Sequence, residues 1–469
     1  MERYTTLNHI RHDIQNNKIT LGGLVLHYLD NIAAKKHLNA FLEVYADEAK
    51  AQAEVVQQKL TSGTAGKLAG LVIGLKDNIC YKNHQSSASS KILAGFESVY
   101  SATVVERLLA EDAIIIGRMN CDEFAMGASN ENSAYGKVLN DADNTRVSGG
   151  SSGGSAVAVQ ANLCLATLGS DTGGSIRQPA AFCGVIGYKP TYGRVSRYGL
   201  IAYASSFDQI GPITNSIEDT ALIMSVIAGA DEKDATTSTR AVEAYFPIPE
   251  AKRSKIAYIK EALFHPGIDA DVKAITIEKI EQLKKAGHTV EEVSFPLLDT
   301  VVPAYYVMTT AEASSNLSRF SGLLYGHRSK AATNLETTFK KSRSEGFGAE
   351  VKRRIMLGTF VLSAGFYDAY YSKAQKVRRK VQDETEKILS DYDFILSPVT
   401  PGTAFKFGEK TTNPLEMYLA DIFTVHANIS GHPAIAVPAG THPNGMPVGI
   451  QLLGKLFKES ELLALAQTI

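Results

Sequence analysis

Cysteine is scarce in this chain of 469 residues, which contains only four. They form no C-x-x-C pair, and a chain of this length needs no disulfide framework to hold its core, so we expect reduced thiols. The N-terminal stretch MERYTTLNHIRHD lacks the apolar segment of a secretory signal. No uninterrupted apolar run reaches the length of about 18 residues that a membrane span requires. These absences predict a cytoplasmic protein that does not engage a membrane.

Concentrated positive charge is also absent. Lysine and arginine together number 48 against 49 for aspartate and glutamate, and no basic block stands out. A chain with this balance has no net field with which to capture a polyanion directly. If the function involves nucleic acid, we expect a partner protein to make most of the contacts with it.

Short apolar runs alternate with helical patterns through most of the sequence. LAGLVIGLKD (68–77) is typical of a buried strand that ends near Lys76, and the run at 114–116 predicts a second strand. Such alternation favours an α/β sheet with both faces covered by helices. We predict an N-terminal helical segment over 1–65 and one large unit over 66–469, with a mainly helical insertion at about 303–391.

Two glycine- and serine-rich loops, SGGSSGGSA (148–156) and SDTGGSIRQPA (170–180), stand at the ends of apolar segments. Such runs are often flexible connectors, but flanking apolar segments should pin both loops at the edge of one sheet. Phosphate binding is a second interpretation, although neither the Walker pattern nor G-x-G-x-x-G with its downstream acid is present. Serine-based acyl transfer is the third.

Acyl transfer needs a nucleophile, a base and donors for an oxyanion. The glycines of DTGGS allow successive backbone N–H groups to point into one concavity, and we assign this oxyanion nest to Thr172, Gly173, Gly174 and Ser175. No histidine lies near either loop in the sequence. A buried lysine with a lowered pKa is an alternative base, and Lys76 at its strand end has that setting, although such a lysine can also extend into solvent.

The stretches GLKDNI, SGGSSGGSA and GSDTGGSIRQPAAFCGVIGYKPTYGRVS together resemble the amidase signature family, and the resemblance covers essentially the whole chain. It implies a large, mostly mixed central sheet with helices on both faces. It also implies a triad in which Ser175 is the nucleophile, Ser151, with a cis peptide bond, relays the proton, and Lys76 is the base. Asp171 and Arg177 flank the nest and are expected to support it as a pair. The other serines of the two loops are assigned to loop structure: Ser148, Ser152, Ser155 and Ser170.

The C-terminal half is similar to one branch of that family, the glutaminase subunits of tRNA-dependent amidotransferases. The similarity rests on residues 304–328, 346–363 and 400–440. It implies that Arg354 binds the α-carboxylate of glutamine, that Asp421 binds the α-ammonium and that Tyr306 is a further contact. The chemistry of each pair is coherent, but the residues leave Arg353 and Tyr305 open as alternatives.

The same resemblance implies partners, the B and C subunits of a heterotrimeric amidotransferase. Ammonia would pass to the larger of the two, which activates misacylated Glu-tRNA(Gln) or Asp-tRNA(Asn) with ATP and Mg²⁺, while a small third subunit wraps the interface. This chain is then expected to bind no metal and no cofactor of its own, and to meet tRNA mainly through the tRNA-activating partner. A free-standing amidase of the same family is the alternative function, and a non-catalytic binding module is a third.

Overall fold

An eleven-stranded mixed sheet runs through the computed structural model, which describes residues 2–410 and 414–469. In chain order the strands are β1 (Phe41–Val44), β2 (Val72–Lys76), β3 (Ile114–Met119), β4 (Ala166–Asp171), β5 (Ile186–Lys189), β6 (Gln209–Thr214), β7 (Lys255–Ile259), β8 (Thr289–Val293), β9 (Phe394–Pro398), β10 (Ala434–Thr441) and β11 (Pro447–Gly454). Their spatial order is β1-β3-β2-β4-β6-β5-β10-β11-β9-β7-β8.

Helices cover the sheet. They are α1 (Leu7–Gln15), α2 (Leu21–Ala34), α3 (Ala46–Ser62), α4 (Thr103–Ala110), α5 (Gly153–Gln160), α6 (Arg177–Cys183), α7 (Ile217–Ile227), α8 (Lys260–Leu263), α9 (Ala270–Lys285), α10 (Leu298–Asn316), α11 (Leu335–Gly346), α12 (Ala349–Val361), α13 (Lys373–Asp391), α14 (Pro414–Leu419), α15 (Val425–Ser430) and α16 (Glu459–Ala466). The fold class predicted from the sequence is confirmed, since helices cover a large sheet that mixes parallel and antiparallel pairs.

Three parallel strands determine where the polar loops meet. β2 lies between β3 and β4 and is parallel to both, and all three strands are buried along their whole length. Strands that are covered on both faces typically consist of a continuous run of apolar residues. The apolar residues of these three strands therefore account for their burial. The carboxyl ends of parallel strands share one edge of a sheet. Lys76, the segment after Met119 and the segment after Asp171 therefore emerge side by side.

The N-terminal residues are helical in α1, α2 and α3, but β1 joins the sheet as an edge strand antiparallel to β3. The division at residue 65 stays a prediction. Helices α10 to α13 fall in the region expected to be a helical insertion, and they pack around a second apolar core that includes Val301, Met308, Val351 and Val381. Across 2–410 and 414–469, none of the helices combines the length and the apolar character that crossing a bilayer requires.

Candidate active site

Lys76 is the last residue of β2 and is fully buried. Its Nζ lies 2.7 Å from Ser151 Oγ, 2.9 Å from Ser152 Oγ and 2.9 Å from Ser170 Oγ. Burial lowers the pKa of this lysine to about 8, although nearby carboxylates such as Asp122 and Asp171 oppose the shift. A minor but appreciable fraction of Lys76 is therefore neutral near physiological pH, as a general base must be.

Ser152 and Ser170, which the sequence assigned to loop structure, also contact Lys76 Nζ in this cluster. The Ser152 hydroxyl donates to the Ser170 carbonyl oxygen at 3.1 Å, and the Asn78 side chain donates to Ser170 Oγ at 2.9 Å. These bonds fix the oxygens around Nζ of Lys76. Composition offers no signal for this, because every serine of a glycine–serine loop looks alike until the loop is folded.

Ser151 stands between Lys76 and the second loop. The peptide bond that joins it to Gly150 is cis. Its carbonyl oxygen accepts from the backbone N–H of Asp122 at 3.1 Å, which ties the first serine loop to the segment after β3. The structure thus brings together two members of the predicted triad, Lys76 and Ser151.

Ser175 lies against the same loop through its backbone. Its carbonyl oxygen accepts from the N–H of Ser152 at 3.1 Å. Its hydroxyl makes no hydrogen bond to any described residue, and the residue is 8% exposed. The contact between Ser151 and Ser175 that a proton relay needs is therefore not formed here. Catalytic hydrogen bonds commonly tighten only when substrate binds.

The nest prediction needs one correction. The N–H of Gly174 donates to Asp171 Oδ1 at 2.9 Å, so this amide does not point toward a substrate. Gly174 has φ +128°, a conformation that L side chains rarely adopt, and it packs directly against Thr424. Among the described residues, no acceptor engages the amides of Thr172, Gly173 and Ser175. These three remain the available oxyanion donors.

Asp171 and Arg177 form the expected pair, and both are fully buried. Arg177 donates through Nε and Nη2 to the two carboxylate oxygens, at 3.1 Å each. Burial alone would raise the pKa of Asp171, but the charge and hydrogen bonds of Arg177 outweigh it and lower the pKa to about 2. Arg177 also donates to Thr424 O, Gln451 Oε1 and Asn428 Oδ1 at 2.7–2.9 Å. The loop that carries Ser175 is thereby fastened to the C-terminal part of the chain.

Arg354 projects inward from α12, whereas its neighbour Arg353 faces solvent. Their side chains are 5% and 46% exposed, which places Arg354 and not Arg353 in the interior. Its Nε donates to Glu350 Oε1 at 2.8 Å and its Nη1 donates to Tyr203 Oη at 2.9 Å. A guanidinium has five N–H donors, so one hydrogen on Nη1 and two on Nη2 remain. That edge has the fork geometry which suits a carboxylate.

Both candidate tyrosines lie at the site. The Tyr306 ring stacks on Tyr418 at 4.0 Å, and the Arg354 guanidinium lies 5.2 Å from its centroid. Tyr305 packs against the nest, since a Cβ added to Gly173 would lie 2.6 Å from the Tyr305 hydroxyl oxygen. The tyrosine pair therefore spans the distance from the arginine to the oxyanion donors.

Asp421 completes the pocket. It is nearly buried, and its carboxylate makes no hydrogen bond to the described part of the chain. Burial raises the pKa of this carboxyl to about 8, against the opposing charge of Arg354. Thr424 connects it to the nest, because Thr424 Oγ1 lies 3.0 Å from Asp421 O and 2.7 Å from Gly173 O. A carboxylate in this position suits a cationic group of a ligand.

A loop that the sequence did not single out joins the two halves of the site. Asp208 accepts from Thr172 Oγ1 at 2.7 Å, from Tyr203 N at 2.9 Å and from Ala204 N at 3.0 Å. The Tyr203 hydroxyl is the group that accepts from Arg354. Residues 203–208 thus connect the nest to the arginine through buried contacts.

Comparison with known proteins gives consistent results. The family model described as Amidase matches residues 23–463. Two glutamyl-tRNA(Gln) amidotransferase A subunits are similar to this chain: that of Chlorobium luteolum is 49% identical, with 99% of this chain and 96% of the relative covered, and that of Chlorobaculum tepidum is 50% identical, with 98% and 96% covered. The crystal structure of the same subunit from Thermotoga maritima has a TM-score of 0.78 and 42% identity, with 95% of this chain and 90% of that chain covered.

Proposed function

This chain belongs to the amidase signature family, and from that premise we propose that it is the glutaminase subunit of a tRNA-dependent amidotransferase. It hydrolyses glutamine to glutamate and supplies the ammonia for amidation of Glu-tRNA(Gln), so that the assembled enzyme is a carbon–nitrogen ligase with glutamine as its amide donor. Relatives that are about half identical over nearly their whole length are named as this subunit.

One observation carries the proposal. A buried lysine–serine cluster and a pocket with an open guanidinium edge and the carboxyl group of Asp421 share one set of loops. A free amino acid bears one carboxylate and one ammonium, and Arg354 and Asp421 offer a partner for each. Glutamine bound in this way would extend its side-chain amide past Tyr305 toward Ser175.

In the proposed first step, neutral Lys76 accepts the proton of Ser151 while Ser151 accepts the proton of Ser175. Oγ of Ser175 forms a bond to the amide carbon of glutamine, and the carbonyl π electrons move onto oxygen. The N–H groups of Thr172, Gly173 and Ser175 stabilise that oxyanion. Preorganised donors of this kind are typically worth a factor of about 10²–10³ in rate each.

The second half returns the protons. Protonated Lys76 passes a proton through Ser151 to the leaving nitrogen, the C–N bond breaks, and ammonia departs from a γ-glutamyl ester of Ser175. Water then attacks this ester, with the same relay as its base, and glutamate leaves with Ser175 regenerated. The histidine of other serine hydrolases has no counterpart in this scheme, because the buried lysine takes its place.

The reaction continues in a partner. We assign activation of the misacylated tRNA, with ATP and Mg²⁺, to a separate tRNA-activating subunit, and we include the small third subunit in the complex. Neither glycine–serine loop of this chain has a nucleotide-binding pattern, and its net charge of −1 provides no field for tRNA. The long matches to A subunits favour this role over a free-standing amidase.

Substitution of the nucleophile tests the proposal. In the assembled complex, Ser175→Ala should abolish glutamine-dependent amidation of tRNA, since loss of the nucleophile in a comparable acyl-transfer site costs about 10⁶ in kcat. Amidation driven by added ammonium should persist, because that route bypasses the glutaminase. Ser155→Ala, at a buried serine of α5 directly after the first loop, serves as the matched control and should keep both activities. Full glutamine-dependent activity in the Ser175→Ala complex would refute the proposal.

A further inference from the structure

The two faces of α12 have opposite characters. Its inner face, with Val351, Arg354 and Gly358, is buried against α10. The approach is close, because a Cβ on Gly358 would lie 1.9 Å from the carbonyl oxygen of Thr310. The outer face and the turn that follows expose large apolar side chains to solvent. We call these the 356–370 surface: Met356, Leu357, Phe360, Phe366, Tyr367 and Tyr370, which are 41–72% exposed.

The surface is continuous. The Phe360 ring centroid lies 4.3 Å from that of Phe366 and 5.7 Å from that of Tyr370, so the helix and the turn present one aromatic patch. Exposed apolar residues scattered singly need no explanation, whereas a contiguous patch of this kind marks an interaction site. Aromatic residues and methionine are the types enriched at the centres of protein interfaces.

Basic residues border the patch. Four exposed cations lie near it in the sequence, Lys352, Arg353, Lys373 and Lys376, against one exposed acid, Asp368; of the four, Arg353 is ion-paired with Glu350. A second copy of this chain would bring basic rim against basic rim across a twofold axis, which is unfavourable. Nucleic acid would suit the cations but not the methionine, leucine and phenylalanine at the centre. The complementary occupant is a protein face with an apolar centre and an acidic rim.

We propose that the 356–370 surface is the docking site for another subunit of the amidotransferase, one with an apolar contact face bordered by acidic side chains. This inference rests on the proposed function, in which the chain works as part of a complex. The helix that the partner would contact also carries Arg354, on its opposite, buried face.

Association with the co-expressed tRNA-activating and small subunits tests the docking site. Phe360→Glu places a charged carboxylate against the apolar centre of the partner's face, where it would be buried unpaired, and should weaken binding to those partners at least tenfold. Val55→Glu on α3 is the matched control, since Val55 is 53% exposed and lies outside the surface. Glutaminase activity and the Tm of the isolated chain should stay near wild type in both variants, because neither side chain is buried.

Charge reversal provides the second measurement. Lys373→Glu combined with Lys376→Glu should weaken the complex more at low than at high ionic strength, since exposed charges are screened by salt. Unchanged affinity in this variant and in Phe360→Glu would overturn the docking site alone. Failure of the wild-type chain to assemble would overturn the proposed function with it. A wild-type homodimer broken by Phe360→Glu, or tRNA binding by the isolated chain that this variant removes, would also overturn the assignment.

Discussion

At the scale of single residues, Lys76 shows how burial can lower the pKa of a lysine far enough for it to act as a base. Three serine hydroxyls surround its Nζ, and no carboxylate of the described residues pairs with it directly. An ammonium ion in this position loses most of its hydration and gains only neutral partners in return. The neutral amine is therefore stabilised relative to the charged form.

The pKa of Lys76 predicts the pH dependence of turnover. The lysine must be neutral to accept a proton, and its folded-state pKa lies at about 8, so kcat should rise with pH and level off above that value. At pH 7 about one tenth of the molecules would be competent. Steady-state glutaminase assays from pH 6 to 10 should show an acidic limb with a midpoint near 8. Lys76→Arg, which stays charged, should be inactive throughout, and a flat wild-type profile would contradict the assignment.

Asp421 makes a second prediction at this scale. In the empty pocket its pKa of about 8 keeps the carboxyl mainly protonated at pH 7. An incoming α-ammonium favours the charged carboxylate and lowers this pKa, so binding should release a proton to the buffer. Calorimetry of glutamine binding to the Ser175→Ala chain, in buffers of different ionisation enthalpy, measures the release directly. Asp421→Asn should abolish it, and proton uptake by the unaltered pocket would refute the role of Asp421.

At the scale of elements, the loop over residues 203–208 carries the coupling between substrate recognition and chemistry. One carboxylate, Asp208, receives a hydroxyl from the nest and two backbone N–H groups from the segment that positions Tyr203. The nest and Arg354 come from distant parts of the chain. Neither β6 nor α12 alone could therefore fix the position of one relative to the other. A single short loop provides that connection.

Asp208→Asn tests this element. An asparagine keeps the shape, and its oxygen can still accept from Tyr203 N and Ala204 N, but its NH₂ group brings two hydrogens to a buried position where Thr172 Oγ1 can accept one, so a buried donor is left unpaired, at a cost of about 1–3 kcal/mol. We expect kcat to fall and KM for glutamine to rise, with kcat/KM reduced about 10- to 100-fold. Asp219→Asn is the control: this buried carboxyl accepts from the backbone of Leu7, at α1, and its loss should lower Tm while kcat and KM stay unchanged. A purely structural Asp208 would behave like Asp219.

At the scale of the whole molecule, the sequence predicted the parts that depend on local pattern. The apolar run of β2 located Lys76 at a strand end, and the run at 114–116 predicted β3. Parallel pairing then explains why the loops converge. The resemblance supplied the roles of Ser151, Ser175 and Asp421, which no periodicity could indicate.

Local sequence patterns could not predict the contacts between distant segments of the chain. The partners of Arg354 include Tyr203, which lies 151 positions away, and Arg177 reaches Gln451 across 274 positions. Only the order of strands in the sheet decides which of these segments become neighbours. The error at Gly174 has the same origin, since the direction of that amide depends on where the Asp171 side chain lies.

The strand order has a consequence for synthesis of the protein. β10 and β11 are the last strands made, yet they stand between β5 and β9 and join the first six strands to the other three. A ribosome-bound chain that has not yet released residues 434–454 exposes two unpaired strand edges, and such edges invite aggregation. Ser175 also lacks its full support until then, because the partners of Arg177 come late in the chain: Thr424, Asn428 and, within β11, Gln451. The nascent chain therefore passes most of its translation without the ability to break down the cell's glutamine.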